Sequence, residues 1–464
     1  MEDNSEAKKD IDISILKGDK LLFNQNTPFV INLLAPEPTE QEQEGEKRVS
    51  ADLICVIDIS GSMDGEKIHL VRESLKILVD MMDKNDRIAL VLFDQEAQLF
   101  YKLNYLTEGN KKELKGQIEK IRAKGGTNIA SGLQIAIDIL KAEKNKPNDN
   151  ENRSSSIILL SDGCDNYMDD IQLGEKLKSL TKGAGLSFTL NTFGYGYDHD
   201  PKIMNKLANL RDGSFFLVED YNKVGEFFVS VLGGCISMIS KNVELQVKLT
   251  NDKSKIVKIF GENNLYFYEL KDNLFTTKML QFISGKEYTY VLEIQIDESN
   301  TKPGEKFLDI DFCYEDIIKK EKKRININYN YELKDINCSK ANEEYIRSQT
   351  YDVLERALKL RENNKIEEGR KLLKEMREWL EKKYKGENKN YLEDIKKAEP
   401  MFVKVDYAQR DITYTTSLVR QMQSKRIGSQ NMYSNSVQMR LQSNYNMNYA
   451  RTQNLNNMNN NQYI

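Results

Sequence analysis

At 464 residues the chain exceeds what one hydrophobic core normally organises, and it divides into two or three folded units at roughly 100–200 residues each. Hydrophobic residues make up 39% and charged residues 30%, with no run near the ~20 apolar residues of a bilayer crossing, so a soluble, cytoplasmic protein without a membrane span is expected. The five cysteines, Cys55, Cys164, Cys235, Cys313 and Cys338, lie far apart without a C-x-x-C pair, which excludes a disulfide framework and a zinc finger. The formal net charge of −4 is uneven: residues 401–464 hold Lys404, Arg410, Arg420, Lys425, Arg426, Arg440 and Arg451 against Asp406 and Asp411. Basic residues spread this thinly read as a solvated tail, with acidic protein, RNA or anionic lipid as the alternative contacts.

Residues 1–19 read as a polar, disordered leader. Within 20–48, the run KLLFNQNTPFVINLLA is strand-like and is followed by the acidic loop PEPTEQEQEGEKR. Over 49–235 short β-branched runs (DLICVIDI, RIALVLF, SSIILLSD, LSFTLNTFGYG) alternate with amphipathic stretches. In GEKIHLVRESLKILVDMMDK, Ile68, Val71, Leu75, Leu78 and Val79 recur at helical spacing on one face. Continuous apolar strands separated by helices predict an α/β unit, a doubly wound, mostly parallel sheet covered on both faces.

Residues 236–335 switch to period two (NVELQVKLT, NLYFYEL, YTYVLEIQID, FLDIDFCYED, INYNYEL), the pattern of an antiparallel β-sandwich. The early strand segment 20–48 lies outside the α/β unit, so it is expected to pair with this later sheet, making the α/β unit an insertion. Residues 336–400 turn helical, with Tyr345, Tyr351, Leu354, Ala357 and Leu358, then Ile366, Leu372, Met376, Trp379 and Leu380 on apolar faces. Asn363 and Asn364 break the run and predict a helical hairpin. The tail, 401–464, is rich in Asn, Gln, Ser, Met and Tyr and is expected to be largely disordered.

Chemistry concentrates where three of these strands end. Leu53–Ile57 lead into Asp58-Ile59-Ser60-Gly61-Ser62, placing a carboxylate and two hydroxyls at the carboxyl end of the first parallel strand, the edge where open α/β sheets bind ligands. Gly125-Gly126-Thr127-Asn128 offers another hydroxyl from a flexible turn, and LLSDG sets Asp162 just past a further buried strand. A hard cation wants oxygen donors, in near-octahedral order for magnesium. D-x-S-x-S or S-D-G alone is a common turn sequence; in this order, each after a strand and with G-G-T between them, they specify a metal site formed by Asp58, Ser60, Ser62, Thr127 and Asp162. With only two carboxylates, the cation keeps room for an Asp or Glu from a partner.

The motifs DLICVIDISGSMDGEKIHLV, GGTNIASGL and SIILLSDG, followed by FGYGYDHD, resemble the intracellular von Willebrand factor A family with its metal-ion-dependent adhesion site. The likeness is greatest to a plant and protist branch in which that domain precedes a β-rich companion. The resemblance implies a doubly wound sheet with Mg²⁺, or Mn²⁺ or Ca²⁺, at its top, held at the five positions above. Plant relatives add a RING zinc domain and act as ubiquitin ligases. The cysteines here cannot build one, which leaves the binding half of that role.

Other constellations favour structural readings. Phe193-Gly194-Tyr195-Gly196 with Asp198-His199-Asp200 reads as a turn capping the helix that begins at Pro201, with Asp200 as N-cap, in preference to a second metal site. His69 and His199 are the only histidines, and neither has an evident nucleophile. Cys164 lacks a base partner, and Gly194-x-Gly196 lacks the third glycine of a dinucleotide fingerprint. The aromatics of NLYFYEL and INYNYEL lack the interleaved arginines of a nucleic-acid platform, so no DNA binding is expected. The expected function is therefore a non-enzymatic, metal-dependent binding or scaffold protein that captures an acidic side chain. The alternatives are a ubiquitin-pathway accessory or a magnesium-dependent hydrolase. Against the hydrolase stands Ser60, which occupies the place where common phosphatases carry a second carboxylate.

Overall fold

The computed structural model describes residues 11–19, 26–37, 48–146, 153–163, 165–196, 201–218, 221–261, 265–317, 319–333, 338–383, 389–402, 438–443 and 446. Strands β1 (Asp12–Lys17) and β2 (Thr27–Leu34) open the chain. The α/β unit then runs β3 (Ser50–Asp58), α1 (Glu66–Met81), β4 (Arg87–Phe93), β5 (Ala97–Tyr105), α2 (Glu108–Ile118), α3 (Ile129–Lys144) and β6 (Arg153–Ser161). It continues with α4 (Asp170–Thr181), β7 (Thr189–Tyr195), α5 (Pro201–Asn209), β8 (Phe215–Val218) and α6 (Tyr221–Ile236). Its six strands lie in the order β5-β4-β3-β6-β7-β8, all parallel except the edge strand β5.

Alternation along β3 explains why the sheet is covered twice. Leu53, Cys55 and Ile57 face one core with Val71, Leu75 and Leu78 of α1 and Phe228 of α6. Ile54 and Val56 face another with Leu133 and Ile137 of α3 and Leu177 of α4. Helix α3 lies close to the sheet because Gly132 has no side chain: a Cβ there would sit 2.7 Å from Val56 Cγ1 and 3.0 Å from Phe93 Cδ1. Gly132→Ala should therefore lower the urea midpoint, since overpacking costs about 1–3 kcal/mol and outweighs the ~1 kcal/mol gained in helix propensity.

The companion domain holds β9 (Met238–Leu249), β10 (Lys255–Ile259), β11 (Phe267–Lys271), β12 (Leu274–Ile283), β13 (Glu287–Gln295), β14 (Lys306–Asp316) and β15 (Lys322–Asn330). They form two antiparallel sheets, β1-β2-β13-β10 and β11-β12-β9-β14-β15, which share a core that includes Phe29, Leu245, Phe282, Leu292 and Phe312. Because β2 pairs with β13, the α/β unit is inserted between two strands of the sandwich.

Three stretches differ from the sequence expectation. Within the leader, Asp12–Lys17 is a strand paired with β2. Ile11, Ile13 and Ile15 alternate toward the sandwich core, a short signal masked by polar neighbours. Beyond α7 (Cys338–Glu362) and α8 (Ile366–Lys383) there is a third helix, α9 (Lys389–Ala398), so the helical region is more than a hairpin. Its Ile395 and Ala398 join a core with Tyr345, Leu354, Leu373 and Phe402, to which the sandwich contributes Leu16, Val30 and Val291. Asn364, at φ 59°, makes the break between α7 and α8. In the tail, residues 438–443 are helical and dock on α6: Gln438 is 4% exposed and its Nε2 donates to the Ser230 carbonyl at 3.2 Å, while Leu441 packs on the α1/α6 core. The rest of the tail beyond Phe402, except residue 446, lies outside the described residues, as does most of the acidic loop of 36–48. Among the described residues no helix is long and apolar enough to cross a membrane.

Candidate metal centre

Chain order reverses at β3, which is flanked by β4 and β6, and a crevice opens beyond the carboxyl ends of such neighbouring strands. Asp58 ends β3 at this point and is fully buried. Its Oδ1 accepts the Ser60 backbone N–H at 2.8 Å and its Oδ2 accepts the Ser161 hydroxyl at 2.5 Å. Burial pushes the carboxyl up to about 6; the Ser161 and Ser60 hydrogen bonds pull it down, and the nearby Asp162 charge pushes it further up. The Ser60 and Ser62 hydroxyls are 3.0 Å apart, Ser60 buried and Ser62 exposed.

The second loop is fastened onto the first. Gly61 N–H donates to the Gly125 carbonyl at 3.0 Å, and Lys124 N–H donates to the Ile59 carbonyl at 2.5 Å. Gly125 adopts φ +74°, and a Cβ on it would also meet the Asp94 carboxylate at 3.1 Å, so a side chain is excluded twice over. Thr127, 3% exposed, donates its N–H to Asn166 Oδ1 at 2.7 Å and accepts the Asn166 N–H at 3.0 Å. The third loop is thereby tied to the second.

Asp162, at the exit of β6, accepts from Lys67 Nζ on Oδ2 at 3.1 Å. Its Oδ1 is buried and has no hydrogen-bond partner among the described residues. A buried carboxylate oxygen without a donor costs about 1–3 kcal/mol or more, and coordination would satisfy it. The structure thus gathers Asp58, Ser60, Ser62, Thr127 and Asp162 onto three mutually bonded loops. Their donors are all oxygens, the set a hard cation takes. No cluster of three or more His, Cys, Asp or Glu able to hold a metal occurs among the described residues, so a cation here would depend on the hydroxyls.

Sequence reasoning missed the bracing residues. Ser161 holds Asp58 and accepts the Gly163 N–H at 2.8 Å; it sits one position before Asp162 in the motif already singled out. Asp165 accepts the Ile129 N–H at the start of α3 at 2.7 Å, along with the Tyr167 and Met168 N–H groups. That pattern of a short acidic residue bonding the backbone two and three positions on was readable as a turn. Lys67 carried no local signal.

Among the described residues the other candidates bring no second metal centre together. His69 is exposed on α1, and Tyr195 is fully buried with its hydroxyl donating to Ser74 Oγ at 3.1 Å, burial pushing its phenol well above the usual value. Cys164, Asp198, His199 and Asp200 lie outside the described residues.

The von Willebrand factor type A domain family model matches residues 52–229. An uncharacterized protein of Synechocystis is 29% identical over 220 residues, covering 45% of this chain and 47% of that protein. Inter-alpha-trypsin inhibitor heavy chain H2 of Sus scrofa is 31% identical over 195 residues, covering 41% of this chain and 20% of the heavy chain. The match therefore spans less than half the length of either relative. Among solved structures, a von Willebrand factor type A protein from Catenulispora acidiphila superposes with a TM-score of 0.62 at 14% identity, over 90% of this chain and 98% of its own. The ArnB paralog VWA2 from Sulfolobus acidocaldarius does so at 0.53 and 17% identity, over 89% and 99%. These two share the fold across nearly the whole described architecture.

Proposed function

Residues 52–229 form a von Willebrand factor A domain, and from that premise we propose that the chain is a metal-dependent protein-binding or scaffold module that captures a partner's Asp or Glu through a divalent cation. The observation that carries this reading is the oxygen-only constellation whose buried Asp162 Oδ1 has no hydrogen-bond partner among the described residues. Asp58, Ser60, Ser62, Thr127 and Asp162 would hold Mg²⁺, or Mn²⁺ or Ca²⁺ in its place. Bound there, the cation supplies a Lewis-acidic position for a carboxylate. The chain's own residues do the rest: Ser161 and the Ser60 N–H orient Asp58, and Asn166 fixes Thr127. Binding, not catalysis, is assigned to the centre, and the cytoplasm to the protein.

The rim supports a protein ligand. Tyr167 is 57% and Ile171 61% exposed, in the segment that directly follows Asn166. Their backbone is not loose: Asp165 accepts the Tyr167 N–H at 2.8 Å, and an Asp169/Gln172 capping box fixes the first turn of α4. Exposed apolar side chains on a fixed backbone beside a polar anchor are what interface hot spots are made of.

Calorimetric titration of Mg²⁺ and Mn²⁺ into wild type and Asp58→Ala tests the centre. Saturable binding lost in the variant supports it, and a folded wild type that binds neither cation refutes it. A partner retained in pull-downs with Mg²⁺ and released by chelator would then be eluted from Tyr167→Ser/Ile171→Ser. Retention is expected to fall about tenfold or more at unchanged cation affinity, the loss typical of removing hot-spot side chains.

A further inference from the structure

Lys67 lies in the first turn of α1, where the helix dipole disfavours a cation and favours residues such as the neighbouring Glu66. Lysine is rarely buried, yet this side chain is only 18% exposed and its ammonium lies 3.1 Å from the 2%-exposed Asp162 carboxylate. Geometry supplies a local cause: the ammonium is paired with the buried Asp162 carboxylate, at the edge of the sheet where the buried Asp58 also ends its strand. The Asp162 oxygen left over, Oδ1, keeps no hydrogen-bond partner among the described residues. The centre is thus half-neutralised by the chain itself.

Resting on the cation reading above, we propose that Lys67 is a built-in competitor of the divalent cation, a tethered ammonium that neutralises Asp162 in the metal-free protein and lowers the affinity of the centre for metal. An ammonium and a divalent cation drawn to the same carboxylate repel each other, and in a partly buried site that repulsion is weakly screened. Without such a counter-charge the two buried carboxylates would hold a cation more tightly. With it, occupancy follows the cation concentration and the arrival of a partner's carboxylate. Lys67 is therefore a positioning and affinity-setting residue, separate from the five donors.

The test is calorimetric titration of Mg²⁺ and Mn²⁺ into the full chain carrying wild-type Lys67, Lys67→Met or Lys67→Arg. Lys67→Met is expected to bind at least about tenfold tighter and Lys67→Arg, which keeps the charge, to stay close to wild type. If Lys67→Met loses its fold, Lys67→Gln removes the same charge and carries the same expectation. In metal-free protein a thermal-melt cycle provides an independent readout: Lys67→Met should lose stability alone but not on an Asp162→Asn background, where no charge is left to neutralise. Wild type that binds metal while Lys67→Met binds equally or more weakly overturns the competitor role and leaves the cation centre standing. Absence of binding in wild type and in Lys67→Met alike overturns the cation reading and this inference with it.

Discussion

Asp58→Asn is expected to abolish divalent-cation binding and, in the metal-free protein, to raise stability at neutral pH. The fold opposes ionisation of Asp58: burial is the main cause, and Asp162 adds to it, so that its carboxyl is pushed up to about 6 from 3.8. The folded state therefore holds a proton through a window in which the unfolded chain has released it. Stability contributed by the neutral form is full below about pH 4, falls as pH rises from about 4 to 6, and is gone at neutral pH. A carboxyl moved from 3.8 to about 6 disfavours the charged form by about 3 kcal/mol. An amide at this position carries no charge, so denaturant titrations of Asp58→Asn should lose that pH slope and gain up to about that much at pH 7. Cation affinity should show the mirror image. Metal needs the ionised carboxylate, so wild-type affinity should fall by about tenfold per pH unit below 6 and level off above it. A variant that is both weaker in binding and less stable at pH 7 would mean that Asp58 braces the loop instead of loading it with charge.

How far the sequence foretold this depends on whether a feature is local. The placing of Asp58, Ser60, Ser62, Thr127 and Asp162 at one edge was legible because each lies in a loop that leaves a strand or leads into a helix, and a doubly wound sheet delivers such loops to one edge. The two faces of β3 were legible from its unbroken apolar run. Lys67 and Asp162 are 95 positions apart, and nothing in the neighbourhood of either announces the pair; only the folded geometry of the loops does. The strand Asp12–Lys17 and the helix Lys389–Ala398 were lost for a different reason. Each is short and flanked by charged residues, so its periodicity is too brief to stand out and is fixed by packing, Ile13 and Ile15 on the sandwich core and Ile395 on the helical core. The docking of Gln438 on α6 likewise depends on a surface that no tail sequence encodes.

Asp52→Ala is expected to cost about 3–5 kcal/mol without touching the cation centre. Asp52, 4% exposed, opens β3 at the edge opposite Asp58. Its Oδ1 accepts from Arg87 Nε at 2.8 Å and Arg153 Nε at 2.7 Å, and its Oδ2 accepts from the second Arg87 donor at 2.7 Å. Arg87 also pairs with Glu143 of α3 at 2.9 Å, and both arginines lie over the Tyr105 ring. One carboxylate thereby clamps β3 to its neighbours β4 and β6 on either side. Removing it takes from both arginines, whose side chains are at most 9% exposed, the carboxylate that each binds through Nε, so the desolvation cost of those charges is less fully offset. The loss should appear in the urea transition of the α/β domain, with Arg87→Met costing less, because Asp52 keeps Arg153 and Glu143 keeps Lys146 as partners. Mg²⁺ affinity of the folded Asp52→Ala protein should remain within about threefold of wild type, because the centre is braced by its own loop-to-loop hydrogen bonds and not by this end of the strands. A larger drop in affinity would mean that the strand ends are coupled through the sheet, and the clamp at Asp52 would then belong to the binding site's energetics as well as to the fold's.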